Sequence, residues 1–169
     1  WGASVQQQAG TLFIDLMVYA SDGMPTWFSA PASRQANASA GYAAATTVVG
    51  TGTLTIDVGT WTGTTAFAVK PGTTAVSITI GAADNTLEKI RDRINAANAG
   101  VTAEVIFDGT AHRLTMTSRD SGAVNGFRVT AVDDDGNSTN AAGLSSLTYN
   151  PPGGTSRLAR NVTAADAVA

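Results

Sequence analysis

Apolar and polar positions alternate along most of this chain, and in one place the alternation gives way to a helical period. In Gly52-Thr53-Leu54-Thr55-Ile56-Asp57-Val58-Gly59, the residues Leu54, Ile56 and Val58 share one face, the two-residue period of a half-buried strand. The period recurs at Val76, Ile78 and Ile80, at Val105 and Phe107, and at Phe127, Val129 and Ala131. Thr60-Trp61-Thr62-Gly63 reads as a turn-like excursion. Asp108-Gly109 joins the Val105/Phe107 strand to His112-Arg113-Leu114-Thr115-Met116-Thr117 as a hairpin, and Asp133-Asp134-Asp135-Gly136 ends the last strand.

The exception runs from Asp84 to Gly100. Leu87, Ile90, Ile94 and Ala97 recur at i, i+3, i+7 and i+10 and fall on one stripe, with charges filling the other faces. Asn85 is expected to cap this helix, with Glu88 closing a capping box, and Gly100 to supply the left-handed stop. The faces Leu54/Ile56/Val58, Val76/Ile78/Ile80 and Val105/Phe107 are expected to enclose Leu87, Ile90 and Ile94. The fold class that follows is α+β, predominantly β. Small antiparallel sheets pack on one amphipathic helix (about 86–98), and an N-terminal β-hairpin is added.

Residues 1–30 have a separate character. Gly10 to Tyr19 reads as a strand, Ser21-Asp22-Gly23 as a turn and Met24 to Phe28 as a second strand, together an aromatic-rich β-hairpin. Residues 31–48 collapse to Ala, Ser, Gly and Asn and read as a linker. Residues 49–150 form the principal domain. Residues 151–169 read as a loop and C-terminal tail, because Pro151-Pro152 cannot donate to a ladder, with at most a short helix after Asn161.

Composition narrows the function. Charged residues are 14% of the chain against a usual value of about 25%, and Gly, Ala, Thr and Ser fill the space, a balance typical of surface β-proteins. The net charge of −3 provides no basic field for a nucleic acid or an acidic membrane. No apolar run approaches the roughly 20 residues of a spanning helix. The start at Trp1, without Met or a charged leader, reads as a segment of a longer or processed product. Zero Cys excludes a disulfide framework and thiolate metal sites.

The residues that might carry chemistry each have a plainer reading. His112 is the single imidazole, yet no Gly-x-Ser-x-Gly elbow accompanies it, and at a strand start it reads as an exposed hairpin residue. Asp133-Asp134-Asp135-Gly136 lacks the ligands a calcium loop needs at Ala131 and Ala142, and reads as a solvated acidic turn. Gly50-Thr51-Gly52 has Thr55 where a dinucleotide loop needs its third glycine. Glu88, Asp92 and Glu104 read as surface carboxylates rather than a glycosidase pair. Trp1, Trp27 and Trp61, with Tyr19 and Phe28, offer stacking faces for carbohydrate, but aromatics in short hairpins more often form the only core such elements have. No catalytic, cofactor-binding or metal residue is assigned, no cofactor is expected, and the chain is read as a non-enzyme.

Gly50-Thr51-Gly52-Thr53-Leu54-Thr55-Ile56, the helix with Ile90-Arg91-Asp92-Arg93-Ile94-Asn95-Ala96-Ala97-Asn98-Ala99-Gly100-Val101, and Arg113-Leu114-Thr115-Met116-Thr117-Ser118 occur in an order that is specific as a set. With Gly122-Ala123-Val124-Asn125-Gly126-Phe127 and Ala142-Gly143-Leu144-Ser145-Ser146-Leu147, they closely resemble the head region of the bacterial flagellar filament capping proteins (hook-associated protein 2, FliD) over about residues 41–169. Residues 87–118 resemble the flagellin hook IN motif. Residues 1–30 instead resemble a hairpin repeat of secreted bacterial proteins. The resemblance implies a secreted, extracellular structural protein at the flagellum tip, exported unfolded, which promotes flagellin assembly and contributes to adhesion. Its implied partners are flagellin and other cap subunits in the full-length protein and a host glycan or mucin, with no nucleic acid and no membrane; the isolated fragment is expected to be monomeric. The family's coiled-coil legs would show sustained heptads, and none occur here. The rival readings are a secreted carbohydrate-binding or adhesion module using Trp61, and a hook-filament junction protein or flagellin variable domain.

Overall fold

The structure, a computed structural model, describes residues 30–167 and the strand segments 4–8, 11–15, 18–19 and 25–26. The chain divides into two compact units, residues 32–166 and residues 1–31 with 167–169. In the smaller unit, β1 (Ser4–Gln8) pairs antiparallel with β2 (Thr11–Asp15), and β3 (Val18–Tyr19) with β4 (Pro25–Thr26). The expected hairpin across Ser21–Gly23 thus has its β3–β4 ladder, but the turn itself and Trp1, Trp27 and Phe28 lie outside the described residues.

The larger unit carries β5 (Ala36–Ala38), β6 (Gly52–Thr62), β7 (Ala66–Val69), β8 (Val76–Ile80), the helix α1 (Leu87–Ala96), β9 (Val101–Phe107), β10 (His112–Ser118), β11 (Gly126–Asp133), β12 (Tyr149–Asn150), β13 (Thr155–Ser156) and β14 (Ala159–Val162). The spine is β6. One of its edges pairs with β11 from Gly52 to Gly59, while the other pairs first with β8 and then with β7. Thr60-Trp61-Thr62 is therefore not an excursion but the far end of this strand, because its β-branched and aromatic residues pair with Ala66–Ala68. With β12 and β13 added beyond β11 the sheet has six strands, and a second sheet runs β14-β5-β10-β9.

The core lies among the two sheets and α1. Leu87, Ile90 and Ile94 are 0–1% exposed, as the stripe predicts, and meet Leu54, Ile56, Ile78, Ile80, Leu114, Met116, Phe127 and Val129. On β9 the buried residues are Val101 and Ala103, whereas Val105 is half-buried and Phe107 is 58% exposed. The expected Val105/Phe107 face is corrected accordingly: the register is right, but α1 is too short to cover the strand's distal half.

The helix ends differ from expectation as well. Thr86, not Asn85, is the N-cap, and no side chain caps it, so the capping box with Glu88 does not form. The free amides of Leu87 and Glu88 instead donate to the carbonyls of Thr47 and Ala45, each at 3.0 Å. At the other end Asn98 takes the left-handed conformation (φ 52°) ahead of Gly100 (φ 75°). Gly100 has a second reason to be glycine: a Cβ there would lie 2.7 Å from Val58 Cγ2.

Residues 31–48 are not a linker. β5 is an inner strand between β10 and β14, and Gln35 and Asn37 are buried. Small residues suit a strand held between two neighbours, which composition alone had read as flexibility. The tail is corrected too: β14 replaces the short helix expected after Asn161, and Leu158 is 1% exposed in the core.

Candidate functional site

The residues singled out from sequence do not converge. His112 opens β10 half-buried rather than exposed, its ring 5.0 Å from that of Phe107 and its backbone paired with Tyr42. Its Nδ1 is buried and has no hydrogen-bond partner. Asp133 is buried, not solvated, and accepts from the Ser145 amide at 3.0 Å, so it fastens the 143–147 turn to the end of β11. Asp135 is exposed, and its carboxyl is held below the usual carboxylate value by the Asn140 side-chain amide and the Asn137 backbone amide. Glu88 is half-buried, Asp92 and Glu104 are exposed, and Asp92 is paired with the adjacent Arg91 at 2.7 Å. Among the described residues no group of three or more His, Cys, Asp or Glu is placed to hold a metal ion.

Trp61 is the centre of the one aromatic cluster described. Its Nε1 donates to the Phe127 carbonyl at 2.9 Å, and its ring lies 4.7 Å from Phe67 and 5.2 Å from Tyr149. The Arg160 guanidinium of β14 sits 5.8 Å from the Trp61 ring and 5.6 Å from the Tyr149 ring. A sugar platform needs a free ring face, and here the ring is engaged by Phe67, Tyr149 and Arg160. The cluster ties the last strand of one sheet to the other sheet. Burial pushes the Tyr149 hydroxyl above its ordinary value, and the Arg160 charge opposes the shift.

Two further surface features combine apolar and polar groups. A groove of about 260 Å³ beside the helix C-terminus is floored by Ile56, Val58, Val76 and Ala99, and at its rim Lys70 Nζ donates to Asn125 Oδ1 at 2.7 Å. The second feature is the β9–β10 tip, where Ile106 and Phe107 are 46% and 58% exposed. There Asp108 accepts from Arg113 and from the Thr110 and Ala111 amides, and the Arg113 guanidinium foremost holds its carboxyl well below the usual range. Sequence periodicity placed Phe107 inside and gave Ile106 no role; Ile106 stands on the outer face of the sheet, and Phe107 is exposed because α1 does not reach the end of β9.

Among the described residues the aromatics are packed, strand ends are exposed, and no nucleophile is gathered with a base. No family model matches the chain. Flagellar hook-associated protein 2 of Escherichia coli K12 is 43% identical over 61 residues, 36% of this chain and 13% of that protein. The B-type flagellar hook-associated protein 2 of Pseudomonas aeruginosa is 39% identical over 77 residues, 44% of this chain and 16% of that one. The crystal structure of the flagellar cap protein FliD from E. coli matches 82% of this chain and 35% of its own with a TM-score of 0.67 and 27% identity. The P. aeruginosa FliD structure matches 82% of this chain and 58% of its own with a TM-score of 0.60 and 28% identity. The resemblance to flagellar filament cap proteins read from the sequence is thereby borne out. The chain spans only 13–16% of the curated relatives it matches.

Proposed function

We propose that this chain is a head portion of a bacterial flagellar filament cap, which acts outside the cell at the filament tip as a rigid structural block and helps flagellin add there. The observation that carries the reading is the agreement of sequence with fold: 43% identity over 61 residues to one cap protein, and a TM-score of 0.67 over 82% of the chain to a solved one. A block of this kind works through its outline and the surfaces it turns to neighbouring subunits, so the proposal assigns no catalytic step to any residue. The two-sheet core, with Leu54, Leu87, Ile90, Leu114, Phe127 and Leu144 all 0% exposed, supplies the rigidity such a role needs.

The test is a chimera. Ser33 and Ala165 are bridged side by side, so residues 32–166 can be spliced in place of the matching head segment of E. coli hook-associated protein 2. Expressed in a strain lacking its own cap gene, the chimera is expected to restore filament growth. A chimera that folds and is exported, yet does not restore filament growth, would refute the reading. Glycan binding through Trp61 is not proposed, since the ring is already occupied.

A further inference from the structure

The outer edge of β9 is closed along one half and open along the other. Leu114 and Ser118 of β10 turn their main-chain groups toward the 35–39 segment, with Ser39 N donating to Leu114 O and Ser118 N to Gln35 O, each at 2.9 Å. By the alternation of an antiparallel ladder, Arg113, Thr115 and Thr117 therefore face β9 and bond Ile106, Glu104 and Thr102. The main-chain groups of Val101, Ala103, Val105 and Phe107 point out of the sheet. Asn95 of α1 answers those of Ala103 as a strand would: its Nδ2 donates to Ala103 O and its Oδ1 accepts from Ala103 N, both at 2.8 Å. Among the described residues nothing does the same for Val105 and Phe107. An uncovered edge of this kind is a template for another strand, and natural edges are usually blocked by a charge, a bulge or a covering element.

We propose that the Val105–Phe107 edge pairs antiparallel with the same edge of a second copy of this chain, about a two-fold axis through Ile106. In that register Val105 of each copy exchanges both main-chain bonds with Phe107 of the other, so all four open groups on each edge are used. Ile106 meets Ile106 on the outer face, and Phe107 lies beside Val105 on the inner face, covering the apolar surface that α1 leaves bare. The register is short because the Asn95 amide ends it on one side and the Asp108 turn on the other. A foreign strand would find the same short ladder, whereas a second copy brings its own exposed Ile106 and Phe107 to be covered. Charge is a cost of the contact, not a gain: Glu104, which makes no ion pair among the described residues, comes opposite Asp108, and the pairing of Asp108 with Arg113 limits the repulsion. The contact is isologous, so it joins two copies and builds no ring. It is also far below the roughly 800 Å² per partner of a stable interface, so the free chain remains mostly monomeric and the pairing has to be trapped. The proposal is independent of the cap reading.

The lack of Cys makes trapping clean. Across the axis the two Ile106 Cα atoms stand about 4.5 Å apart as a non-hydrogen-bonded pair, inside the range of about 4.4–6.8 Å that a disulfide spans. The full chain carrying Ile106→Cys, oxidised with copper–phenanthroline, is expected to form disulfide dimers at least tenfold faster than Val132→Cys, a site 66% exposed on another strand. Adding Val105→Pro removes an outward N–H without touching the β9–β10 ladder, and should return the rate to that of Val132→Cys. Adding Phe107→Lys instead, at an exposed position, should do the same where the proline variant fails to fold. Equal rates for Ile106→Cys and Val132→Cys would overturn the proposal, as would a rate indifferent to Phe107→Lys in folded protein.

Discussion

At the scale of single residues, charge and hydroxyl groups do their work inside the sheets. Asp57 and Arg128 stand opposite each other in the β6–β11 register, Nη2 and Nε of Arg128 reaching Asp57 Oδ2 at 2.8 and 3.1 Å. Asp57 is 6% exposed, so Arg128→Ala strands a buried carboxylate and is expected to cost about 1–3 kcal/mol in urea unfolding, the range of a charged hydrogen bond. Asp57→Asn should cost less, because no unpaired charge is left inside. Tyr42 couples stability to alkaline pH. Burial raises its hydroxyl above the ordinary value of 10.0, and the bond to Ser146 Oγ at 2.7 Å partly offsets that. A raised value means that the folded state favours the neutral phenol. Its contribution is complete below the unfolded value and disappears as pH climbs past it toward the folded one. Melting temperature should fall above pH 10, and the fall should be shallower in Tyr42→Phe, although Tyr149 is shifted in the same direction and keeps some slope. Identical slopes in the two proteins would show that Tyr42 is not the titrating group.

At the scale of elements, the sequence is most informative where a period repeats and least where a partner comes from far along the chain. The stripe of α1 and the alternations of β6, β8 and β11 are visible because each apolar position is fixed by its own neighbours. Ile90→Asp would place an unpaired charge at a 0% exposed site, and loss of cooperative melting is expected; an unchanged transition would remove α1 from the core. The helix start was misread because its donors are met by carbonyls of Thr47 and Ala45, and a backbone carbonyl leaves no mark in sequence. Side-chain amides posing as strands are equally silent. Gln35 brackets Phe127, with Oε1 accepting from its N–H at 2.9 Å and Nε2 donating to its C=O at 3.0 Å, as Asn95 brackets Ala103. Asn95→Ala should cost about 1–2 kcal/mol through two lost bonds. It should also lengthen the open edge of β9 and raise the crosslinking rate of Ile106→Cys. As for the candidate surface, the hairpin at Asp108-Gly109 was legible, but its exposed apolar flank was not, since alternation says which face a residue shares and not how far the covering helix extends.

At the scale of the whole unit, residues 32–166 close on themselves like an inserted module. Ser33 N donates to Ala165 O at 2.9 Å and Ala165 N to Ser33 O at 3.3 Å, and β5 and β14 continue the pairing inward. Composition gave the strands of this closure to a linker and a tail, because Ala, Ser and Asn carry little apolar signal and the pairing joins residues over 120 positions apart. The consequence is that the tail is structural. Leu158 is buried at 1%, Arg160 covers the Trp61 and Tyr149 rings, and β13 and β14 each extend a sheet. Ending the chain at Gly154 removes a core leucine, which alone is worth about 2–5 kcal/mol, and exposes β5 along one side. That approaches the whole stability of a domain this size, about 5–15 kcal/mol, so the shortened chain is expected to lose its cooperative melt. Arg160→Ala in the full chain separates packing from closure: it gives up only the cation–π contacts and the bond to Gly63 O, and should lower stability by about 1–2 kcal/mol while the fold persists. A shortened chain that melts like the full one would mean that residues 155–166 merely lie against the sheets and that β5 is stable as an edge.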